Sequence, residues 1–443
     1  MLKEFRIGNY RSFKNEVVFT MEADMDGVSE HSNHVFTDEY GNNLLRLASL
    51  YGPNAGGKTN FIYSILFARS LLLNRYSQSK VNEIGFSKKQ IIFPQFAFTD
   101  EIDSRISVGL YFIDENYEYG IECIARYLHN NNNAFALIDE ETFVYRPLDQ
   151  TEFKTLYTRS GNIIESNSLK NELDLSAYSI SNDKPYSFFL YDNFVKKGEI
   201  NSTGLDLINR FYSQINKIVM YRPLQEDVYL FNFVSAQFKA FGNKYMSTII
   251  AFLNDLGINI KDIKINPLGN DDVYCIHDVD GKDYRLNWRQ ESEGTRKLIL
   301  MLLSLFQYIN NNAIFLIDEI DAHLHPKLTA KIIGLINADP QSQAQLIFTS
   351  HDIWNMNNDN FRRDEIWFVC RNKKLESELY CLSDFIDFKG EKVRKDAKYS
   401  KQYMEGKYGA DPFVAKGFGM LKDIKKEDVN QSYDDVDDLI DHD

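Results

Sequence analysis

The stretch GPNAGGKT, residues 52–59, constrains the fold of this 443-residue chain more than any other feature. It fits the pattern Gly-x-x-x-x-Gly-Lys-Ser/Thr, follows the apolar run LLRLASLY and precedes the amphipathic stretch TNFIYSILFARSLLL. A phosphate loop of this kind needs a buried strand to deliver it and a helix whose first backbone N–H groups are unpaired. The stretch therefore predicts an α/β domain that binds the phosphates of a nucleotide.

Each position of the phosphate loop has an expected role. The glycines let the backbone approach phosphate oxygens, Lys58 reaches the β- and γ-phosphates, and the hydroxyl of Thr59 binds Mg²⁺. The expected cofactors are therefore ATP and Mg²⁺, with Lys58 also acting in catalysis. The nucleotide-binding residues predicted from this segment are Asn54, Gly56, Gly57, Lys58, Thr59 and Asn60.

A second segment, AIFLIDEID, places acidic residues at the end of an apolar run. Residues 313–317 predict a buried strand, and Asp318 and Glu319 follow at its carboxyl end, where α/β sheets bind ligands. Asp318 is predicted to hold Mg²⁺, directly or through water, and Glu319 to activate the attacking water as a general base. An ordinary acidic strand-to-helix turn is the alternative, which the phosphate loop upstream disfavours.

A third apolar run, QLIFTSHD, ends in His351. An imidazole at a strand end beside a γ-phosphate can hydrogen-bond the phosphate and respond to its loss. A single histidine is more often structural, but its position one helix after the acidic strand favours a catalytic role for His351.

The segment QESEGTRKL predicts a second anion-binding helix start. Ser292, Gly294 and a threonine precede the apolar stretch LILMLLSLFQYI, so a hydroxyl and several unpaired N–H groups would face an anion. Ser292 and Gly294 are therefore further candidates for nucleotide binding, far along the chain from the phosphate loop.

These four elements in this order resemble the ATP-binding-cassette (ABC) type of ATPase head of SMC, Rad50 and RecF proteins. In such heads a signature segment, commonly Leu-Ser-Gly-Gly, reaches across a dimer to the nucleotide on the other subunit. Ser292 matches the family serine and Gly294 its second glycine, whereas Glu293 replaces the first glycine. Asp321 matches the family's D-loop, which crosses the dimer. The resemblance implies ATP hydrolysis at inter-subunit sites in a homodimer at minimum, or in a larger homo-oligomer.

A narrower similarity covers nearly the whole chain, in the segments EFRIGNYRSFKNEVVFTM, YGPNAGGKTN, ESEGTRKL, LIDEIDAHLHPKL, LIFTSHD and YMEGKYGADPF. Together they look like the AAA15-type (AAA21-like) ATPases of bacteria. That group includes ATPase components of abortive-infection and other anti-phage systems, such as PARIS, and relatives of the OLD nucleases. The resemblance implies an ATPase sensor or scaffold that controls a separate effector, a nuclease or toxin, with a phage protein as a candidate trigger.

The alternation of strands and helices at both ends predicts an α/β fold. The expected architecture is an ABC-type ATPase head with a mixed sheet, an N-terminal β-rich lobe and an inserted helical lid. The predicted divisions are 1–160, the N-terminal lobe with the phosphate loop; 161–265, the helical insertion or lid; 266–425, the C-terminal lobe with the signature, acidic strand and His351; and 426–443, an acidic tail expected to be disordered.

Composition narrows the location and the partners. No apolar run approaches the roughly 18 residues that span a membrane, and there is no signal-peptide core. Four widely spaced cysteines and these absences predict a cytoplasmic protein with no membrane partner. The net charge of −14 argues against strong non-specific DNA binding, although a local basic patch leaves nucleic acid binding open. The acidic tail is either a solvated end or a self-inhibitory segment.

Some residues and functions keep two interpretations. An Arg of the IGNYRSF segment lies near the nucleotide in similar heads, so Arg11 is a nucleotide-binding candidate; surface ion pairing is the alternative for Arg6 and Arg11. Gln95 is a candidate for the glutamine that links Mg²⁺ to the lid. His323 and His325 are spaced like metal ligands but are expected to pack or cap a helix.

Two other functional classes stay open beside the defence ATPase. An OLD-like nuclease needs a Toprim domain, and the 92 residues after His351 contain no apolar βα unit that presents its acidic motif. An SMC-like repair or chromosome-associated ATPase needs a long heptad coiled coil, which residues 162–254 lack. The sequence therefore predicts an ATPase without built-in nuclease activity.

Overall fold

The structure is a computed structural model. It describes residues 1–24, 31–73, 94–96, 98, 105–130, 133–160, 163–165, 203–221, 243–265, 273–322, 324–339, 341–386, 390, 392–394 and 396–409. The predicted acidic tail, 426–443, and His323 lie outside these residues.

The secondary structure alternates between strand-rich and helical parts. The strands are β1 (Leu2–Gly8), β2 (Val17–Thr20), β3 (Val35–Thr37), β4 (Asn43–Leu45), β5 (Leu47–Tyr51), β6 (Arg105–Ile113), β7 (Tyr117–Asn130), β8 (Asn133–Pro147), β9 (Lys154–Ser160), β10 (Ile163–Glu165), β11 (Ile218–Tyr221), β12 (Asp262–Ile265), β13 (Val273–Val279), β14 (Lys282–Asn287), β15 (Ile314–Ile317), β16 (Gln345–Thr349), β17 (Ile366–Arg371) and β18 (Ser377–Cys381). The helices are α1 (Lys58–Leu72), α2 (Thr203–Asn216), α3 (Asn243–Asp255), α4 (Glu293–Asn310), α5 (Pro326–Ile336) and α6 (Tyr399–Met404).

A six-stranded central sheet has the order β11-β15-β16-β5-β17-β18. The first five strands are parallel, and β18 pairs antiparallel to β17. Strands β5, β15 and β16 are buried throughout, which matches their unbroken apolar sequences. Because the strands are parallel, the carboxyl ends of β5, β15 and β16 meet at one edge of the sheet, and the phosphate loop, Asp318 and His351 all follow these ends.

One face of the central sheet packs with helices against a second, antiparallel sheet. This seven-stranded sheet has the order β10-β9-β8-β7-β6-β1-β2. Phe61 of α1 lies at the centre of the shared core, with its ring centroid 5.2 Å from that of Phe19 and 5.9 Å from that of Phe5. Helix α2 joins the same core through Leu207, Ile208 and Phe211. The apolar face of α1 thereby fixes the phosphate loop between the two sheets.

The opposite face of the central sheet carries a second core. Helices α3, α4 and α5 and the three-stranded sheet β12-β13-β14 contribute to it, together with Trp288, which is buried just before α4. Stacked aromatic rings, such as Phe368 over Tyr403 with centroids 5.5 Å apart, attach α6 to this face. The YMEGKYG segment noted in the sequence therefore packs the C-terminal part of the described chain onto the sheet.

The predicted α/β class with mixed sheets and an N-terminal β-rich lobe is confirmed. Within the predicted insertion, 161–265, the described residues form helices α2 and α3 and also strand β11, which pairs parallel to β15 in the central sheet. The limits of the domains, including the helical lid, stay predictions. No helix in the described part of the chain combines the length and apolar composition that a membrane span requires.

Candidate nucleotide-binding site

The phosphate loop lies close against strand β17. Gly52 and Gly57 adopt φ angles of 151° and 121°, and Ala55 has a φ of 60°. A Cβ atom on Gly52 would lie 2.0 Å from the carbonyl oxygen of Val369, and one on Gly56 would lie 2.7 Å from that atom. Glycine is therefore required here by the approach of β17 as well as by the backbone conformation that cradles an anion.

Two serines far apart in sequence support the loop from behind. Ser377 donates a hydrogen bond from Oγ to the Gly56 carbonyl oxygen at 2.7 Å, and from its backbone N–H to the Ser12 carbonyl at 2.7 Å. The side chain of Asn60 donates to Ser12 Oγ at 2.9 Å. Sequence reasoning missed both serines. Ser12 lies in the IGNYRSF segment, which could have pointed to it, whereas Ser377 begins strand β18 and carries no local signal.

Lys58 is buried at the start of α1 with its ammonium group turned back onto the loop. Its Nζ donates to the carbonyl oxygens of Gly52 at 2.8 Å and Pro53 at 3.1 Å. Burial lowers the pKa of Lys58 to about 8, and the nearby carboxylates of Asp318 and Glu319 act in the opposite direction. A phosphate in the loop would give this cation the anionic partner that its present carbonyl contacts only partly replace.

The oxygens predicted to hold Mg²⁺ come together at the end of β15. Thr59 donates from Oγ1 to Asp318 Oδ1 at 3.2 Å, and Thr349 donates from Oγ1 to the same oxygen at 2.6 Å. Two oxygens at neighbouring corners of a Mg²⁺ octahedron lie about 3.0 Å apart, given bonds of about 2.1 Å. The spacing of Thr59 and Asp318 therefore fits a magnesium ion completed by phosphate and water oxygens.

Glu319 projects from a strained turn. It is exposed and has a φ of 54°, a left-handed conformation that costs a non-glycine residue about 1–2 kcal/mol. Three hydrogen bonds hold the turn: from Glu319 N to Thr349 Oγ1 at 2.7 Å, from Ile320 N to the Thr349 carbonyl at 3.1 Å, and from Ala322 N to the Glu319 carbonyl at 2.9 Å. Strain that the surroundings maintain in this way is typical of functional positions.

His351 lies beside Asp321 at the end of β16. The backbone N–H of His351 donates to both carboxylate oxygens of Asp321, each at 3.2 Å, and the imidazole is exposed. His351, which is predicted to contact the γ-phosphate, is therefore hydrogen-bonded to Asp321, which matches the D-loop. Both follow neighbouring strands of the sheet.

Arg11 and Arg6 have different surroundings although they lie only five positions apart in the sequence. Arg11 lies past the end of β1 with a φ of 49°, and its guanidinium donates to Asn60 Oδ1 at 3.2 Å in the first turn of α1. Arg6 lies within β1 and pairs with Glu4 at 2.6 Å and Glu122 at 2.9 Å on the seven-stranded sheet. The structure thus brings Arg11 to the phosphate-loop helix and gives Arg6 an ion-pair role.

Gln95 lies next to the Arg11 segment. Its neighbour Pro94 accepts a hydrogen bond from the Arg11 backbone N–H, and Phe96 N donates to the side chain of Asn9 at 3.2 Å. The half-buried Gln95 is therefore held beside the turn that carries Arg11. Its predicted role toward Mg²⁺ stays a prediction.

Ser292 is the N-cap of helix α4, at the helix start that the sequence predicts. Its Oγ accepts from Thr295 N at 3.1 Å and lies 2.8 Å from Thr295 Oγ1, and the side chain is exposed. Glu293 turns along the helix and pairs with Lys297 at 2.5 Å, so its carboxylate has a cationic partner. Gly294 lies half-buried in the first helical turn. This helix start can still meet an anion through its exposed hydroxyl and N–H groups.

The histidine spacing noted in HLHP has a structural explanation at His325. This residue is the N-cap of α5, and its Nδ1 accepts from Lys327 N at 3.3 Å, with Pro326 in the first turn. Within the described part of the chain, His, Cys, Asp and Glu side chains form no group of three that could hold a metal ion.

Comparisons with known proteins give one family match. A family model described as "AAA domain, putative AbiEii toxin, Type IV TA system" matches residues 47–353. No curated protein matches the chain.

Similar solved structures are SMC heads. The SMC head domain from Thermotoga maritima has 13% identity, covers 86% of this chain and 98% of its own, and gives a TM-score of 0.37. The SmcHead bound to the C-winged helix domain of ScpA has 14% identity over 86% of this chain and 97% of its own, with a TM-score of 0.42. The Smc head domain with an extended coiled coil, bound to the C-terminal domain of ScpA derived from Pyrococcus furiosus, has 12% identity over 86% and 96%, with a TM-score of 0.37.

Proposed function

The chain belongs to the AAA_21 family of ATPase domains, and we propose that it binds and hydrolyses Mg²⁺-ATP at sites shared between two subunits. The observation that carries this proposal is the junction of Thr59, Asp318 and Thr349. Three hydroxyl and carboxylate groups from the ends of α1, β15 and β16 meet within hydrogen-bonding distance, next to a buried lysine. That arrangement supports a triphosphate, its metal ion and a nucleophilic water.

Each residue of the site has a defined part in hydrolysis. The backbone N–H groups of Gly56, Gly57 and the first turn of α1 bind phosphate oxygens, and Lys58 leaves its carbonyl contacts to pair with them. Thr59 and Asp318 would hold Mg²⁺, which neutralises charge on the phosphates when it is bound. Glu319 accepts a proton from the attacking water, and His351 donates to the γ-phosphate. Asn54, Asn60 and Arg11 line the same loop and complete the nucleotide contacts.

The second anion-binding helix start completes the site from another copy of the chain. Ser292 and the N-terminus of α4 offer an exposed hydroxyl and the positive end of the helix dipole, which suit the γ-phosphate on a neighbouring subunit. The paired Asp321 and His351 would lie at the same junction. The assembly is then a homodimer at minimum, with two ATP sites.

The cellular role that we propose is control of a separate effector. The family description names a toxin of a type IV toxin–antitoxin system, and the resemblance to abortive-infection ATPases supports a sensor or scaffold in anti-phage defence in the cytoplasm. A nuclease or toxin is the proposed effector and a phage protein the proposed trigger. ATP binding would close the dimer, and hydrolysis would release it, so that the effector is held in one state only.

Replacing Glu319 tests the hydrolytic function. We expect Glu319→Gln to keep ATP binding and to lower turnover by about 100-fold or more, because the base is removed while the cradle stays intact. Lys58→Ala should weaken ATP binding itself. Filter binding of radiolabelled ATP and release of labelled phosphate measure the two effects.

Glu115→Gln is the matched control, since Glu115 is an exposed glutamate between β6 and β7, away from the central sheet edge. It should hydrolyse ATP like the unmodified protein. A Glu319→Gln protein with unchanged turnover would contradict the assignment of the general base, and absence of ATP binding by the unmodified protein would contradict the function as a whole.

A further inference from the structure

The turn before helix α4 is fixed at two points. Trp288 is buried in the core, and Glu291, directly before Ser292, is also buried, with only 8% of its surface exposed. Asn287 and Gln290 cap the short helical turn between them. The buried Glu291 carboxylate therefore lies at the end of the turn that leads directly into Ser292.

His277 of strand β13 holds that carboxylate. Its Nε2 lies 2.5 Å from Glu291 Oε1, and its Nδ1 lies 2.9 Å from the carbonyl oxygen of Asn259, in the turn between α3 and β12. One imidazole thus joins three parts of the chain: the α3–β12 turn, β13 and the turn that carries Ser292.

The hydrogen bonds around His277 require an extra proton. The Asn259 carbonyl can only accept, so Nδ1 must carry a hydrogen. An ionised Glu291 is also only an acceptor, so the contact at Nε2 needs a second hydrogen, on the ring or on the carboxyl group. A neutral imidazole and a carboxylate hold only one hydrogen between them. Both bonds therefore exist only while the His277–Glu291 pair retains one additional proton.

We infer that His277 is a positioning residue that sets the orientation of Ser292 through Glu291, and that it does so only while the pair holds its proton. This inference rests on the proposed role of Ser292 in ATP hydrolysis. When the proton leaves, one of the two bonds becomes a contact between two acceptors and breaks. Glu291 can then move, and the hydroxyl of Ser292 loses its fixed place opposite a neighbour's phosphate.

Other groups near the imidazole are few. Cys275 lies two residues before His277 on the same strand. Burial raises the pKa of its thiol, and the charge of the Glu291 carboxylate and a hydrogen bond between the two side chains raise it further. Tyr284 of β14 is paired opposite His277, and Asp278 follows His277 on β13. Lys261, directly before β12, and Asp283 of β14 pair with each other at 2.7 Å. Glu291 is thus the acid in direct contact with the ring.

The substitution Glu291→Gln keeps the hydrogen bond to His277 and removes the need for the additional proton. In Glu291→Gln the side-chain amide donates to Nε2 of a neutral imidazole, whose Nδ1–H still donates to the Asn259 carbonyl. All bonds are then satisfied without the additional proton. The variant should keep the geometry and lose its dependence on protonation.

The test measures ATP turnover against pH at saturating ATP, so that changes in ATP binding do not contribute. We expect the unmodified protein to lose turnover as pH rises and the pair releases its proton. Glu291→Gln should retain turnover without this alkaline loss. His277→Ala should lower turnover by roughly tenfold or more and leave ATP binding unchanged, because misplacement of one contacting group has effects of this size.

Lys261→Ala is the matched control, since it breaks an exposed ion pair on the same sheet without touching Glu291. It should behave like the unmodified protein. Equal pH profiles for the unmodified protein and Glu291→Gln would overturn the inference, even if His277→Ala failed to fold in a thermal unfolding measurement. They would leave the proposed ATPase function standing, which fails only if the unmodified protein shows no ATP binding or hydrolysis.

Discussion

At the level of single residues, burial of the Lys58 ammonium group links phosphate binding to protonation. The ammonium group is buried, and it donates hydrogen bonds to carbonyl oxygens of the loop. Burying a cation without a full counter-charge favours its neutral form, which is why the pKa falls to about 8. A phosphate bound beside Lys58 should favour the charged form and raise its pKa, so that phosphate binding and protonation of Lys58 are coupled.

A pH dependence of ATP binding follows from this lowered pKa. Below about pH 8 Lys58 is charged before and after binding, so affinity should change little. Above that pH the free protein must take up a proton when it binds the phosphates, so the Kd should rise by up to roughly tenfold per pH unit. Equilibrium binding of labelled ATP between pH 7 and 9.5 measures the slope.

Lys58→Arg provides the control for this slope, because a guanidinium stays charged throughout the range. It should bind ATP more weakly at neutral pH, since its planar head does not fit the ammonium site, but with little change between pH 7 and 9.5. A slope in Lys58→Arg as steep as in the unmodified protein would assign the pH dependence to another group.

At the scale of the element, the phosphate loop depends on the hairpin of β17 and β18. Val369 approaches Gly52 and Gly56 from β17, and Ser377 of β18 donates to the loop carbonyl. The loop is therefore clamped by strands that lie more than 300 positions later in the sequence. Its shape is a property of the folded sheet as much as of its own glycines.

Two glycine substitutions test whether contact with β17 constrains the phosphate loop, one in the loop and one in a helix away from it. Gly52→Ala should lower the free energy of unfolding by about 2 kcal/mol or more and weaken ATP binding, because the new methyl group meets the Val369 carbonyl and the φ of 151° suits only glycine. Gly334→Ala lies within α5 with no atom within 4 Å of the new Cβ, so it should stabilise by about 0.5–1 kcal/mol.

Urea unfolding and ATP binding measure both variants. If Gly52→Ala unfolded and bound ATP as the unmodified protein does, the close contact with β17 would not constrain the loop in solution. A loss of ATP binding in Gly334→Ala would show that the assay responds to any change in a helix rather than to the loop.

The parts of the fold and site that could be predicted from sequence are those with a local pattern. The phosphate loop, Asp318 at the end of β15 and Ser292 at the start of α4 each stand beside an apolar run that fixes their element. Strand β11 could not be predicted, because four apolar residues in a helix-rich segment have no periodicity that distinguishes strand from helix. These residues form a strand because they pair with β15 at the edge of the central sheet.

The different roles of Arg6 and Arg11 also could not be predicted from the sequence. Nothing in the sequence separates Arg6 from Arg11, since both flank the same short motif. The structure separates them because Arg6 lies within strand β1, where it pairs with Glu4 of the same strand and with Glu122 of β7, while Arg11 lies in a turn with positive φ that directs it to Asn60. Long-range pairing decides which one reaches the site.

At the scale of the whole molecule, the chain carries two anion-binding helix starts with different surroundings. The start of α1 is joined to Asp318 by the Thr59 contact, whereas the exposed Ser292 at the start of α4 bonds within its own helical turn. A family match over residues 47–353 agrees with the predicted AAA21-like resemblance at the level of the family. If Ser292 serves a neighbour, the functional unit is larger than the chain, and mixtures of defective chains should reveal it.

Complementation between two defective proteins tests this arrangement. Lys58→Ala removes the cradle of its own site but leaves its Ser292 intact, and Ser292→Arg spoils the signature by bulk and charge but leaves its own cradle intact. In a mixed dimer one site combines both defects, and the other combines an intact cradle with an intact signature. Mixing equal amounts should therefore restore phosphate release that neither protein shows alone.

Subunit exchange must be established first, by co-purification of two differently tagged chains, because an inactive mixture without mixed dimers carries no information about the site. A tandem fusion of two copies supplies the matched comparison. With both substitutions in one half, the fusion contains no pair of intact cradle and intact signature if Ser292 acts on the neighbour, and one such pair if it acts within its own chain. Inactive mixed dimers together with an active fusion would therefore show that Ser292 serves its own phosphate loop.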